Sequence, residues 1–499
     1  MIATIAELSG AAAARYGPRT AVTILGGSAL SFHDLDAKAG RLAGGLAAHG
    51  LGQGDRIALH LPNGLDWIIA YHAIARLGAV VVPCNILLAP EEVGWITDDA
   101  EVAAQIIASD RTDAIRGAQK VLPLTITEKD LDRLMTSDWI KAVRCEPDDL
   151  FTIGYTSGTT GRPKGATQTH RAVTASVGMT ATIHARHDGD RILTALPFPH
   201  VYGNVVLNTS LLVGSTLFVL PRFDASDALA AIGRNGITLF EGVPTMFYQM
   251  LAHPDVRSAQ LHSLRRCTVG GQTMPRAKIE EVIERFGCPL LELWGMTEVA
   301  GPAITHSPYW PARHGSIGLP FPGMEVRIGS LQQAGTVSKP MEAGEILVRG
   351  PLVTKSYWRN SGATAEAIDA AGWLATGDVG YADPDGYIFV VDRLKDMIIT
   401  GGYNIYPAEV EQILALHSAV AMSAVVGVPD AEKGELAHAY IVLAGESEAD
   451  EAVLNAHCRV HLAPYKVPRR YIFVDELPRT STGKILRRAL RGPSSLINE

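Results

Sequence analysis

Short apolar runs at residues 56–61, 79–83 and 104–108, and again at 192–196, 215–220, 237–241, 266–269 and 290–294, alternate with longer helix-like stretches. A strand buried on both faces reads as a continuous apolar run, and parallel strands need a crossover long enough to hold a helix. The alternation therefore restricts this part of the chain to βαβ units wound on largely parallel sheets. At 499 residues the chain exceeds what one core usually serves, so two or more domains are expected. Residues 30–50 carry Leu35, Leu42 and Leu46 among alanines and end at Gly50, the pattern of an amphipathic helix. From about Gly344 the spacing tightens. Residues 345–349 and 387–392 read as strands of a smaller β unit, with Asp383-Pro384-Asp385-Gly386 as the turn between elements. The C-terminal part reads as an α+β unit, with a helix near 407–416 and strands near 424–428, 439–443 and 471–474.

Charge narrows the partners. A net charge of -8 argues against a nucleic-acid ligand, because a phosphate backbone demands a basic face. Basic residues nevertheless gather near the C-terminus, at Arg469, Arg470, Arg479, Lys484, Arg487, Arg488 and Arg491. Such a cluster serves either a polyanionic small ligand or a solvated face. Cys84, Cys145, Cys267, Cys288 and Cys458 lie far apart, so neither a zinc site nor a disulfide framework is indicated. The longest apolar region, 65–89, is interrupted by Asp66, His72, Arg76, Gly78, Pro83 and Asn85. It reads as a buried helix followed by a strand, with no integral membrane segment. The N-terminus has no basic-then-apolar leader, and the cytoplasm is the expected location.

Residues 155–165, Tyr-Thr-Ser-Gly-Thr-Thr-Gly-Arg-Pro-Lys-Gly, follow an apolar, strand-like run and form a loop built to hold phosphate. Gly158 and Gly161 let the backbone turn its N–H groups toward an anion, Thr156, Ser157, Thr159 and Thr160 add hydroxyl donors, and Lys164 adds a full charge. Walker A spacing is absent, since Pro163 stands where that pattern wants its lysine and hydroxyl. The loop resembles the phosphate loop of the adenylate-forming superfamily, which includes acyl-CoA synthetases, luciferases and peptide-synthetase adenylation domains.

Further motifs follow in that superfamily's order. Trp294-Gly295-Met296-Thr297-Glu298 resembles its aromatic-Gly-x-Thr-Glu motif. The resemblance implies that Trp294 lies against adenine, Thr297 contacts the α-phosphate and Glu298, with Thr156, holds Mg²⁺ through hard oxygens. Trp294 stands where tyrosine is commoner, keeping the stacking face without the hydroxyl. Residues 373–378 resemble the segment whose aspartate, here Asp378, accepts from the ribose hydroxyls, and Arg393 is expected at the same ribose or at the phosphates. Lys395 matches the hinge about which the small domain turns, a change of backbone angles that moves little apolar surface. Residues 398–409 resemble the Gly-Gly loop along the pantetheine tunnel, which implies CoA contacts for Gly401, Gly402 and Tyr403. Residues 463–470 resemble a basic segment that meets the CoA phosphates, through Lys466 and Arg469.

Residues 478–488, Pro-Arg-Thr-Ser-Thr-Gly-Lys-Ile-Leu-Arg-Arg, resemble the loop that delivers the adenylation lysine, here Lys484. A carboxylate must approach an α-phosphate that is already anionic, and one cation bridging both offsets the repulsion. His200 matches the catalytic histidine of the acyl pocket and tunnel, although Pro199 intervenes where phenylalanine is usual. Gly271, Gln272 and Thr273 match the segment between acyl pocket and adenine, where Gln272 is larger and more polar than the common residue.

The resemblance covers essentially the whole chain and implies an α/β fold: a large N-terminal domain, 1–394, of two α/β sheet subdomains plus a small β subdomain, and a mobile α+β C-terminal domain, 395–499. It implies an AMP-forming acid–thiol ligase that takes a small-molecule carboxylic acid, ATP and CoA, with Mg²⁺, through an acyl-adenylate; a homodimer is admitted. The acyl pocket expected from it, His200, Tyr202, Gly203, Val206, Leu207 and Val243, is mostly apolar and lacks an arginine for a second carboxylate. A medium- to long-chain fatty acid is the first expectation, with benzoate- or cinnamate-type aryl acids next. Loading of a carrier protein is the rival within the superfamily, and a nucleotide-binding scaffold without chemistry the rival outside it. Intact Lys164, Glu298, Asp378, Arg393 and Lys484 weigh against the scaffold.

Overall fold

The computed structural model describes residues 2–120, 123–156, 163–333, 335–445, 447–480 and 483–491. Ser157, Gly158, Thr159 and Thr160 of the phosphate loop, and Ser481 and Thr482 beside Lys484, lie outside the described residues. Among the described residues every apolar run of the opening pattern forms a strand, within a residue or two of its expected ends. They assemble into a nine-stranded sheet whose middle, Leu290–Met296, Arg266–Gly270, Leu239–Gly242, Arg191–Thr194 and Thr216–Val219, is parallel. A six-stranded sheet has the order Leu124–Thr127, Ala104–Ile107, Arg56–His60, Val80–Pro83, Leu150–Thr156 and Lys164–Thr169. One apolar core joins the two, with Ile57, Leu59 and Phe151 from the smaller sheet and Ile192, Leu217 and Leu239 from the larger.

The helix Phe32–Ala48 begins where Ser31 and Asp34 satisfy each other's backbone N–H groups, a reciprocal cap, and it buries Leu35, Leu42 and Leu46. The region 65–89 divides into helix Leu65–Arg76 and strand Val80–Pro83. No described helix is long and apolar enough to cross a membrane.

The small β unit is larger than its sequence indicated. It is an antiparallel sheet in the order Glu325–Ser330, Gly344–Arg349, Leu374–Ala382 and Ile388–Arg393. Leu374–Ala382 contains two glycines and an aspartate, poor strand formers that hid it from a propensity reading. Pairing on both edges holds it extended, and the register sets Asp378 opposite Arg393. Trp294 and Ile304 of the large sheet share a core with Ile346, Val348 and Leu374 of this one. Beyond the short turn Leu394–Asp396 a five-stranded sheet and the helices Pro407–Leu414 and Glu451–His461 enclose a core of their own, with Ile398, Val410, Val425, Ile441 and Leu454.

Candidate active site

Ligands of open parallel sheets gather beyond the carboxyl ends of the strands. Here Leu239–Gly242, Arg266–Gly270 and Leu290–Met296 end side by side, and the residues just past them converge with the small β sheet and the C-terminal loop.

Trp294 sits near the end of its strand with its indole N–H donating to Asp378 Oδ2 at 2.7 Å. Arg393 Nε lies 3.1 Å from Asp378 Oδ1, so both carboxylate oxygens are fixed by the strand register and by the ring. Gly295 has no alternative: a Cβ there would fall 2.0 Å from the carbonyl oxygen of Gly301 on the returning strand. Thr297 opens a single helical turn, and its carbonyl accepts from Gln168 Nε2 at 2.7 Å. Glu298 is buried; its Oε1 accepts from the Tyr357 hydroxyl at 2.9 Å and from the Thr156 hydroxyl at 3.3 Å. Lys164 opens the strand that returns from the phosphate loop, with Nζ 5.5 Å from the centre of the Tyr357 ring. Thr156, Lys164, Thr297 and Glu298 are thus drawn together, and Tyr357 and Gln168 join them unannounced by any motif.

Lys484 enters from the opposite side. Its Cε lies 3.0 Å from where a Cβ on Gly271 would stand, and Gly271 has φ +90°, so a glycine leaves both the room and the backbone conformation. Burial and the Arg393 guanidinium push the Lys484 ammonium down to about 8, with Asp378 opposing. His200 caps the helix Val201–Val213, accepting from Tyr202 N at 3.4 Å, and burial together with the Lys484 charge pushes its imidazole down to about 3. Val243 packs beside Gly271 and Gly483. A cavity of about 60 Å³ lies next to His200, reaching Gly154, Tyr155, Thr297 and Pro83.

The expected acyl pocket divides. The Tyr202 hydroxyl donates to Glu241 Oε2 at 3.1 Å and meets Thr268 Oγ1 at 2.6 Å, while Thr268 also bonds that carboxylate. Glu241 Oε1 pairs with Arg186 at 2.7 Å, both side chains being fully buried. Gly203 turns against the carbonyl of Pro197, and Val206 and Leu207 are core residues. A buried polar network thus lies behind Tyr202, one of the residues expected in the pocket. Glu241 and Thr268 gave no signal, because nothing in the spacing of two strands shows which of their side chains meet.

Among the CoA candidates, Gly401 and Gly402 form the tip of the hairpin Ile398–Thr400/Tyr403–Ile405, with φ of +54° and +84°. Tyr403 stacks on Tyr465 at 4.7 Å, Lys466 Nζ pairs with Glu409 at 2.6 Å, and Arg469 is exposed with its backbone N–H on the carbonyl of Ala437. They form a separate group on the C-terminal unit. The Gln272 side-chain oxygen accepts from Ile485 N at 3.1 Å. Thr273 follows it before Met274, which is buried in the core.

Known proteins frame this geometry. The profile of AMP-binding enzymes matches residues 10–358, and that of the AMP-binding enzyme C-terminal domain matches residues 409–484. The chain is 36% identical to a long-chain-fatty-acid–CoA ligase of Bacillus subtilis (strain 168), over 96% of this chain and 92% of the relative. It is 38% identical to a feruloyl-CoA synthase of Amycolatopsis sp., over 96% of each chain. The solved structure of the o-succinylbenzoate CoA synthetase of Bacillus subtilis with its acyl-adenylate intermediate superimposes with a TM-score of 0.85 at 34% identity, covering 97% of this chain and 98% of that one.

Proposed function

The chain belongs to the AMP-binding enzyme family, and from that premise we propose how its site is used and which acid it takes. It is an acid–thiol ligase: a carboxylic acid and ATP give an acyl-adenylate and pyrophosphate, and the thiol of CoA then displaces AMP. In the proposed assignment Asp378 and Arg393 take the ribose, Trp294 the adenine, and Lys164 with the phosphate loop the phosphates. Thr297 and Lys484 flank the α-phosphate. Glu298 and the Thr156 hydroxyl offer the hard oxygens that Mg²⁺ prefers, and the ion would neutralise phosphate charge there. Neutral His200 stands between the acid and the narrow cavity, which suits passage of the thioester arm. For the second step we place the domain boundary at 394/395. The C-terminal unit turns about Lys395, withdrawing Lys484 and bringing up Gly401, Gly402, Tyr403, Lys466 and Arg469 for CoA. The cytoplasm is the proposed setting, in keeping with five free cysteines.

The acid is read from one observation, the hydrogen-bonded wall of Tyr202, Glu241 and Thr268. Thr268 lies three residues back along its strand from Gly271, a depth of about 10 Å at the rise of an extended chain. An acid whose carboxylate meets Lys484 beside Gly271 therefore reaches a polar wall after the length of an aryl ring with a short arm. We propose an aryl acid with a hydrogen-bonding group remote from the carboxylate. The medium- to long-chain fatty acid is the second reading, supported by the Bacillus subtilis fatty-acid relative and by the buried Val206 and Leu207; it needs the wall to part. CoA-dependent AMP formation across hydroxylated and unsubstituted benzoates and cinnamates and a fatty-acid series decides between them. Aryl acids with the polar group are expected to exceed unsubstituted ones by ~10-fold or more in kcat/KM, because their substituent gains a hydrogen bond to the Glu241 carboxylate that a plain ring cannot make. Best turnover of a long-chain fatty acid would overturn the aryl assignment.

The bond from Trp294 to Asp378 gives a second test. Trp294→Phe keeps a ring for adenine but frees the carboxylate, and a hydrogen bond to a charged acceptor contributes ~1.5–3 kcal/mol. KM for ATP is expected to rise ~10-fold, and the preference for ATP over 2′,3′-dideoxy-ATP to narrow. An unaltered preference would show that the indole does not position Asp378.

A further inference from the structure

We propose that Gln272, Thr245 and Gln249 form a clasp that holds the lysine-bearing loop in the adenylation pose and so sets the balance between the two half-reactions. The inference rests on the ligase reading above, in which the C-terminal unit turns between the steps.

Lys484 is gripped on both sides by groups of the N-terminal unit. Gln272 Oε1 accepts from Ile485 N at 3.1 Å, and the Thr245 hydroxyl donates to the carbonyl of Gly483 at 2.7 Å. Gln249, its amide oxygen assigned toward the guanidinium, accepts from Arg479 at 2.7 and 3.1 Å. Thr245 and Gln249 lie on one short helix, Pro244–Ala252, that starts immediately after Val243, and Val243 packs beneath Gly483. Thr480 N donates to the carbonyl of Lys484 at 2.7 Å and Lys484 N to the Thr480 hydroxyl at 3.1 Å. Held at Arg479, Gly483 and Ile485, the loop directs Lys484 past Gly271.

Just downstream the chain is strapped to its own unit instead. Arg487 makes two bonds to Glu411, at 2.7 and 2.9 Å, the Tyr440 hydroxyl donates to the carbonyl of Leu490 at 3.0 Å, and Arg491 pairs with Asp396 at 3.2 Å. A turn of the C-terminal unit must therefore carry the loop away and break the clasp. Bonds that exist in one pose alone shift the equilibrium by their own worth. A typical net hydrogen bond shifts it by roughly two- to tenfold. The polar Gln272, oversized for a pocket-lining role, thereby acts as a positioning residue for Lys484.

The test uses the full chain as Gln272→Ala, Thr245→Val and the pair. Adenylation is followed by acid-dependent ATP–pyrophosphate exchange, and thioester formation by supplying synthetic acyl-adenylate with CoA. Each variant is expected to raise the ratio of thioester to adenylation rate roughly two- to tenfold. A residue of merely structural importance would depress both steps together, and an unchanged ratio overturns the clasp. Thr245→Val keeps the shape of its side chain and carries the test if Gln272→Ala fails to fold. The wild type alone reports on the ligase reading: exchange with no thioester from CoA would refute it. The clasp would then be judged by exchange turnover, which must fall at unchanged KM for ATP.

Discussion

Replacing Lys484 by alanine is expected to slow adenylation by ~10²- to 10³-fold, the worth of one preorganised electrostatic donor at a developing charge. The ammonium is buried beside Gly271, with Arg393 and Asp378 as its charged neighbours and neutral His200 close by. Lys164 is held near Tyr357, which bonds Glu298. The loss is expected on the first half-reaction, with thioester formation from supplied acyl-adenylate spared, because in the mechanism proposed above the loop leaves before the second step. Unchanged pyrophosphate exchange in Lys484→Ala would remove this residue from the mechanism.

The same lysine carries a pH signature. Its acidity lies at about 8 in the nucleotide-free site, lowered from 10.5 by burial first and by Arg393 second. Below that value the side chain is the cation that the proposed adenylation step needs; above it the charge is lost. kcat/KM for ATP in the exchange reaction, which reports the free enzyme, is therefore expected to fall on the alkaline side of about 8. In the ATP complex the phosphates favour the ammonium, so the fall in kcat lies at higher pH. Lys484→Ala should lose this alkaline limb, and its persistence would assign the limb to another group.

Much of this site was legible because local chemistry sits in local sequence. The strand ends that carry Gly271 and Trp294, the phosphate loop between two strands, and the lysine loop each declare themselves through an apolar run followed by glycines and hydroxyls. Asp378 was legible as a residue but not as part of a strand, since Gly377 and Gly380 speak against one; two neighbouring strands impose it, and with it the register to Arg393. Tyr357, Glu241, Thr268 and the clasp were not legible at all. Ile485 and Gln272 are 213 residues apart, Thr245 and Gly483 are 238 apart, and no periodicity encodes a meeting across that distance. The apolar reading of the acyl pocket left out the polar network around Tyr202 for the same reason. It took Tyr202, Val206 and Leu207 from one helix, whereas the polarity comes from Glu241 and Thr268 on the strands facing it.

Glu241→Leu is expected to destabilise the protein by ~3–5 kcal/mol, because it leaves the Arg186 guanidinium buried without its counter-charge. Both side chains are fully buried, 2.7 Å apart. The remaining partners of the pair, Thr209 on Arg186 and Tyr202 and Thr268 on Glu241, are neutral hydroxyls that cannot replace a charge. Adding Arg186→Met removes the orphan, and apolar replacement of a whole buried pair is often neutral or stabilising, so the double variant should recover most of the loss. Urea midpoints at constant m-value measure both. A double variant as unstable as the single would mean that the damage lies in packing, not in the stranded charge. The Tyr202 and Thr268 hydroxyls remain and pair with each other, but the recovered enzyme loses the carboxylate acceptor for a polar substituent. Its preference should then move from hydroxylated aryl acids toward unsubstituted and aliphatic ones, which ties the stability of this pair to the choice of acid.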